Sequence, residues 1–361
     1  MATDIDSGIG KVRRYLNQYS IDALAIIPVN GGYLNRFNNN GDSILRIITS
    51  KQSFIIKISN DNDNIVSYFS DLLGTKKVSD SDIESFFTFI SFLPDRKEYK
   101  FYKLFCKTDD RIDCIPKVEF AEYDENTNKS VILMEDLVNY TFFDYHSSVP
   151  ISFEICKTAI ETISTLHNFF YTNSFAERFG CETALDRRAH LINQNSIEVI
   201  VDLHIKKYAH LLSPRFIHLL KNLNNEIIKS IIVINNNIKI LTHNDYNIRN
   251  TCYRYSGDSC KFKVFDWDLA SVQNPHYDVV EYMMMMPAPL SKDEFEEAIA
   301  LYINRSFIKY DVYSFKQCLY ANVIWHVLSK WVIYALVDGI DSDFLLRLST
   351  NVLKYIDYLM Q

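Results

Sequence analysis

The sequence predicts an α+β chain: a small antiparallel sheet at the front and a mostly helical remainder. Three observations carry this. Short apolar runs between Ala23 and Ile58 are broken by Gly, Asn and Ser-Lys-Gln turns. From about Ile151 onward, apolar residues recur at helical spacing over helix-length segments. One extended interruption, Ile238 to Asp268, carries two short apolar runs flanked by polar residues. With 361 residues and a hydrophobic fraction of 48%, the chain can bury one large core or two moderate ones, and two lobes are expected, 1–138 and 139–361.

Along the chain, Ser7 to Tyr19 places Ile9, Val12, Tyr15 and Leu16 on one face of an amphipathic helix. Ala23 to Val29, Ser43 to Thr49 and Phe54 to Ile58 then read as strands, with the turn Gly31-Gly32 between the first two. Ser79 to Phe92 and Glu98 to Phe105 read as helices, and Lys117 to Tyr123 and Ser130 to Met134 as strands. The run Met283 to Met286 sits in a helical apolar segment and reads as core filler.

Charge and cysteine usage exclude several classes. The formal net charge is -7 and no Lys/Arg run stands out, so the basic footprint of a nucleic-acid binder is missing. The seven cysteines (Cys106, Cys114, Cys156, Cys181, Cys252, Cys260 and Cys318) form no CxxC pair and no zinc-ligand spacing, which predicts reduced thiols packed as small apolar groups. The polar N-terminus and the lack of any apolar run of about 20 residues give no signal peptide or membrane span, so a cytoplasmic location is expected.

The chemistry is concentrated in the extended interruption. Ile238 to Asn250 reads IKILTHNDYNIRN, an apolar run that delivers His243, Asp245 and Asn250 in the pattern H-x-D-x-x-x-x-N. This is the spacing of a kinase catalytic loop. Lys263-Val264-Phe265 then leads into Asp266-Trp267-Asp268, a second apolar run ending in a carboxylate. Phosphoryl transfer asks mainly for positioning and charge neutralisation, so each residue has a task. Asp245 would orient the acceptor hydroxyl and take its proton, while Asn250 and Asp266 would hold Mg²⁺ in a hard-oxygen shell. Either motif alone is weak, but the two in this order, each at the mouth of an apolar strand, predict a phosphotransferase.

The front part supplies matching pieces. Lys57 lies inside the apolar strand SFIIKIS, where an unpaired ammonium is costly, and Glu98 in RKEYKFYKLF is its candidate partner. Such a pair points the ammonium at the nucleotide phosphates. The Gly31-Gly32 turn, followed by Asn35, would let backbone N–H groups approach phosphate, since Gly has no Cβ.

Together GGYLNRF, FIIKI, KEYKFYKLF, VILMEDL, TISTLHNFF, LTHNDYNIRN and VFDWDLASVQNPHYDVVEY resemble the ordered motifs of the aminoglycoside phosphotransferase and choline kinase-like superfamily, which includes ecdysteroid kinase-like proteins. The resemblance spans roughly Gly31 to Tyr282. It implies a protein kinase-like bilobal fold, with a β-sheet N-terminal lobe and a helical C-terminal lobe. It further implies ATP or GTP as donor with Mg²⁺, a hinge at Met134, Glu135 and Leu137 against which the base packs, and a segment after the metal carboxylate closed by Pro275 and Asp278. His243 would brace the loop rather than act as a base. One departure is Asn244, where many members have Gly; another is the loop interior Tyr246-Asn247-Ile248-Arg249, which prevents carry-over of the acceptor's identity.

Only Trp267 to Asn274 separates Asp266 from Pro275, without the long activation segment and APE motif of protein kinases, which favours a small acceptor. Arg249 and Asp268 are candidates to touch it. Leu319 to Val337 resembles the Trp-bearing helix of choline kinase-like proteins, so Trp325, Trp331 and Tyr334 are candidates for an aromatic wall around a cationic group, although aromatics at this spacing more often make core. Two rivals remain: a kinase-fold enzyme that modifies a protein side chain, and a non-catalytic nucleotide-binding module. The second predicts loss of Lys57, Asp245, Asn250 or Asp266, and all four are present.

Overall fold

A computed structural model describes residues 12–13, 15–29, 43–60, 97–105, 112–126, 129–143, 151–179, 194–257, 259–336 and 340–361. Gly31, Gly32, Asn35, the expected helix Ser79 to Phe92 and the start of the expected helix Ser7 to Tyr19 lie outside them.

Strands β1 (Ala25–Pro28), β2 (Ser43–Ile48) and β3 (Ser53–Asn60) form consecutive antiparallel pairs. Beyond helix α1 (Lys97–Phe105), strands β4 (Val118–Asp124) and β5 (Lys129–Glu135) complete a five-stranded sheet in the order β1-β2-β3-β5-β4. Strand residues alternate between faces. Leu45, Ile47, Phe54, Ile56, Ile58, Phe120, Val131 and Leu133 cover one face, where the helical residues Val12 and Leu16 close over them. Ile55, Ile132 and Met134 face the other way and join the main core through Phe101 and Tyr102 of α1. Two covered faces explain why β3 is a continuous apolar run instead of an alternating one. Lys57 pairs with Ile44 and Ile132 and shares the face of Ile55, so it points toward α1.

The rest is mainly helical. Helix α2 (Phe153–Thr172) starts at Ser152, whose hydroxyl accepts from the Ile155 N–H, and buries Ile155, Ala159, Ile163, Leu166 and Phe170 along one stripe. Helices α3 (Phe175–Phe179), α4 (Gln194–Tyr208), α5 (Pro214–Lys221) and α6 (Leu223–Asn235) follow. The expected interruption is a pair of small antiparallel sheets. Strand β7 (Ile240–Thr242) pairs with β10 (Ser271–Gln273), and β6 (Thr141–Phe142) pairs with β8 (Thr251–Ser256), which pairs with β9 (Ser259–Val264).

Helix α7 (His276–Met284) runs under this region, and α8 (Lys292–Arg305) opens with a Ser291–Glu294 capping box. Helix α9 (Val312–His326) passes through a π-helical segment, Val327–Trp331, into α10 (Val332–Leu336); α11 (Ser342–Leu359) ends the fold. Met283 to Met286 are core, as their setting predicts, and the Asn351 amide donates to the carbonyls of Met284 and Met286. No described helix is long and apolar enough to cross a membrane.

Candidate active site

Three carboxylates converge on Lys57. Its Nζ lies 2.7 Å from Glu98 Oε2 on α1, 2.7 Å from Asp266 Oδ1 and 3.0 Å from Asp268 Oδ2, both of which follow β9. Glu98, Phe101 and Tyr102 form the buried stripe of α1, and Phe101 stacks flat on Trp267, with centroids 3.8 Å apart and planes 8° from parallel. That stack fixes α1 against the residue between the two aspartates. Burial works against the Lys57 ammonium, yet Asp266, Asp268 and Glu98 together hold its pKa well above the ordinary lysine value. Burial pushes Glu98 and Asp266 upward, reinforced by the carboxylate of Asp268 beside each, whereas Lys57 holds Asp268 low against its own burial. Asp266 has φ 66°, a left-handed conformation that turns the chain sharply out of β9.

The loop after β7 is held from outside. The Asp278 carboxylate on α7 accepts the backbone N–H groups of His243 and Asn244, each at 2.8 Å, and lies 3.0 Å from His167 Nε2. Asn244 has φ 60°, a left-handed conformation in which Asn is among the few side chains at ease. Its amide also donates to the Leu269 carbonyl and contacts Ser271 Oγ. His243 Nε2 lies 3.0 Å from the carbonyl of Phe265, so the imidazole ties this loop to the turn that carries Asp266.

Asp245 sits in a dense polar shell. Its Oδ2 accepts from Asn250 Nδ2 at 2.6 Å, and the same amide reaches the Asp245 carbonyl at 3.0 Å. Its Oδ1 accepts from Asn247 Nδ2 at 3.0 Å and from the Lys330 ammonium, and Arg249 stands at 3.8 Å. Burial disfavours the anion, but Lys330 and Arg249 hold the carboxyl well below the usual range. With Nδ2 of Asn250 turned to Asp245, no described residue donates to its Oδ1. That oxygen is the one a hard cation would use.

The sequence profile of the ecdysteroid kinase-like family matches residues 49–307, more than half of the chain. The chain belongs to the ecdysteroid kinase-like family. Membership bears out the phosphotransferase class expected from the two motifs. Among solved structures, this ecdysteroid kinase-like chain is similar to the choline kinase LicA from Streptococcus pneumoniae, with 13% identity, TM-score 0.50, and 97% and 99% of the two chains covered. It is also similar to a candidate aminoglycoside phosphotransferase from Ralstonia eutropha, with 14% identity, TM-score 0.55, and 97% of each chain covered. At such identity the likeness concerns the fold, which is the protein kinase-like bilobal one expected. Among curated protein sequences none matches.

In this ecdysteroid kinase-like chain the expected hinge residues lie at the end of β5 and just beyond it. Met134 pairs with Ile55 and Val118, the Glu135 N–H donates to the Lys117 carbonyl at 2.8 Å, and the Leu137 carbonyl accepts from Tyr140 N–H at 2.9 Å. The Glu135 side chain is committed to Lys263, 2.7 Å away. The aromatic wall is corrected by the packing. Trp331 is 0% exposed, stands edge-on to Phe216 and donates its indole N–H to the Leu345 carbonyl, so it is core. Trp325 is buried as well, and the Tyr334 ring is covered by the Arg249 guanidinium, 5.4 Å from its centroid, which also bonds the Tyr334 hydroxyl at 2.5 Å.

Sequence reasoning missed Lys330, Glu281 and the bracing role of Asn247. The carboxylates of Glu98, Asp266 and Asp268 have oxygens within 4.8 Å of one another, a hard donor set suited to a divalent cation.

Proposed function

We propose that this chain is a small-molecule kinase that moves the γ-phosphoryl group of ATP or GTP, held with Mg²⁺, onto a hydroxyl of a small acceptor. The observation that carries this reading is the hydrogen bond from Asn250 Nδ2 to Asp245 Oδ2. It joins an anionic group able to receive a proton to an amide whose free oxygen can face a metal, which is the juxtaposition that transfer to a hydroxyl requires.

In this reading the nucleotide lies between an N-terminal lobe, 1–138, and a C-terminal lobe, 139–361. Met134, Glu135 and Leu137 border the base, and Gly31, Gly32 and Asn35 approach the phosphates. Lys57, held by Glu98, meets the α and β phosphates. Asn250 and Asp266 hold Mg²⁺, which when bound neutralises the phosphate oxygens. Asp245 orients the acceptor hydroxyl. The hydroxyl oxygen bonds to the γ phosphorus as the bridge to the leaving diphosphate breaks, and the hydroxyl proton passes to Asp245 late, in keeping with its depressed pKa. Arg249 and Asp268 border the acceptor.

The short stretch Trp267 to Asn274 favours a small acceptor over a protein side chain. The solved neighbours named for choline and aminoglycosides support the same class. A cytoplasmic setting agrees with the free thiols of Cys114, Cys156, Cys252, Cys260 and Cys318. The test is to incubate the protein with Mg²⁺, ATP or GTP and a metabolite extract and to follow phosphorylated products by mass spectrometry, with Asp245→Asn as control. A product formed equally by Asp245→Asn would overturn the assignment.

A further inference from the structure

Lys330 has no role in the phosphotransferase reading, yet its ammonium touches the carboxylate at the centre of that reading. It comes from the π-helical segment Val327–Trp331, with its side chain 6% exposed, and contacts Asp245 Oδ1 while standing 3.4 Å from Glu281 Oε1. Glu281 is fully buried on α7. Its Oε1 accepts from Asn247 Nδ2 at 3.0 Å, and the same amide donates to Asp245 Oδ1 at 3.0 Å. Asp245, Lys330, Glu281 and Asn247 therefore close a ring of side chains drawn from the catalytic loop, α7 and the π-helical segment. A π turn accommodates one more residue than an α turn and re-aims the side chains it carries. Here it sends Lys330 to the loop while the next residue, Trp331, stays in the core.

The ring acts on one oxygen only. Asp245 Oδ1 receives two donors from it, whereas Oδ2 receives Asn250 Nδ2 and has acceptor capacity left. We propose that Lys330 is a positioning residue for phosphoryl transfer, which pins Asp245 Oδ1 so that Oδ2 faces the acceptor hydroxyl. This rests on the kinase reading above. The competing explanation is purely structural: a buried ammonium that does no more than balance two buried carboxylates.

The two explanations part in a charge-balanced variant. Lys330→Met leaves Asp245 and Glu281 without their shared cation and can fail to fold. Lys330→Met/Glu281→Gln removes one positive and one negative charge together and keeps an amide beside Asn247. The probes are Mg-ADP and Mg-ADP with aluminium fluoride, a mimic of the group in flight with water in the acceptor's place, each read by thermal shift. The expected result is that the double variant keeps the wild-type response to Mg-ADP but binds the aluminium fluoride complex at least about tenfold more weakly, because only the latter uses an oriented Asp245. Wild-type affinity for the aluminium fluoride complex in the double variant would overturn the proposal and leave Lys330 a charge-balancing group. A wild-type protein unmoved by Mg-ADP would instead sink the kinase reading itself. For an acceptor found by the metabolite screen, the same variant should lose kcat by about 10²-fold with the nucleotide KM unchanged; a loss confined to KM would contradict positioning.

Discussion

Phe101 and Trp267 lie face to face, 3.8 Å between ring centroids, one on the helix that bears Glu98 and the other between Asp266 and Asp268. Both rings are fully buried, so the stack makes the helix and the turn a single packed unit. Phe101→Ala should lower stability by about 3–5 kcal/mol, the usual cost of deleting a buried aromatic ring, and Phe101→Leu by less. Denaturant unfolding checks this, and Mg-nucleotide binding should weaken in parallel because Glu98 loses its support. Stability within about 0.5 kcal/mol of wild type would mean that the rings do not support one another.

The Lys57–Glu98 pair should show coupling. Lys57→Ala strands the buried Glu98 carboxylate, and adding Glu98→Ala removes that stranded charge, so the double variant should lose less Mg-nucleotide affinity than the sum of the singles. Calorimetry on the four proteins of the cycle supplies the number. Strict additivity would separate the two residues in function.

Asp266 and Asp245 should fail differently. Asp266→Ala is expected to abolish the Mg²⁺-dependent thermal shift given by ATP or GTP. Asp245→Asn should keep it while kcat falls by about two to four orders of magnitude, the span of a lost general base. An Asp245→Asn protein that loses nucleotide binding as completely as Asp266→Ala would argue that both carboxylates serve the metal.

Acid should narrow the gap between wild type and Lys330→Met. In the wild type, burial disfavours the charged forms of Asp245 and Glu281, but Lys330 pulls both below their ordinary values, helped by Arg249 and His326 respectively. Depressed carboxyls contribute stability above their unfolded pKa values, about 4, and that contribution is lost as pH falls through the folded values. Without the ammonium the same buried carboxyls should shift upward, take up protons on folding and gain stability as pH falls from 7 toward 4. The stability difference measured by urea unfolding should therefore shrink over that range. A difference that is constant with pH would show that Lys330 does not set the charge of this pair.

How much of this was legible in the sequence depends on whether a residue's place follows from local geometry. Asp245 and Asn250 belong to a short loop after an apolar strand, so their spacing alone brings them together. Lys57 was marked by a charge among apolar strand residues, and Glu98 by its place in RKEYKFYKLF, on a helix that follows the strands. The sheet, Glu98's contact with Lys57 and the core role of Met283 to Met286 all appear as the pattern implies. Lys330 carried the same mark as Lys57, a lone ammonium within VLSKWVI, but the helix around it drew attention to its aromatics. Their facing could not be read, because helical spacing assumes a regular turn and the π-helical segment breaks the phase between Trp325 and Trp331. Glu281 lay hidden for a different reason: its partners are distant in sequence, and only the fold sets that distance. The same holds for the contacts of Asp278, a residue the resemblance named only as closing the segment, with the His243 and Asn244 amides.

The anchoring of the loop on Asp278 has a consequence for how such a site can diversify. Since the amides of His243 and Asn244 both end on that one carboxylate, the course of the backbone toward Asp245 is anchored from outside the loop by α7. Exchange of Arg249, at the far end, would therefore leave these two anchors in place while removing the guanidinium that stands 3.8 Å from Asp245 and bonds Tyr334. The anchor that steers the loop and the residue proposed to meet the acceptor are thus separate parts of the chain: one can be varied in the laboratory while the other is kept.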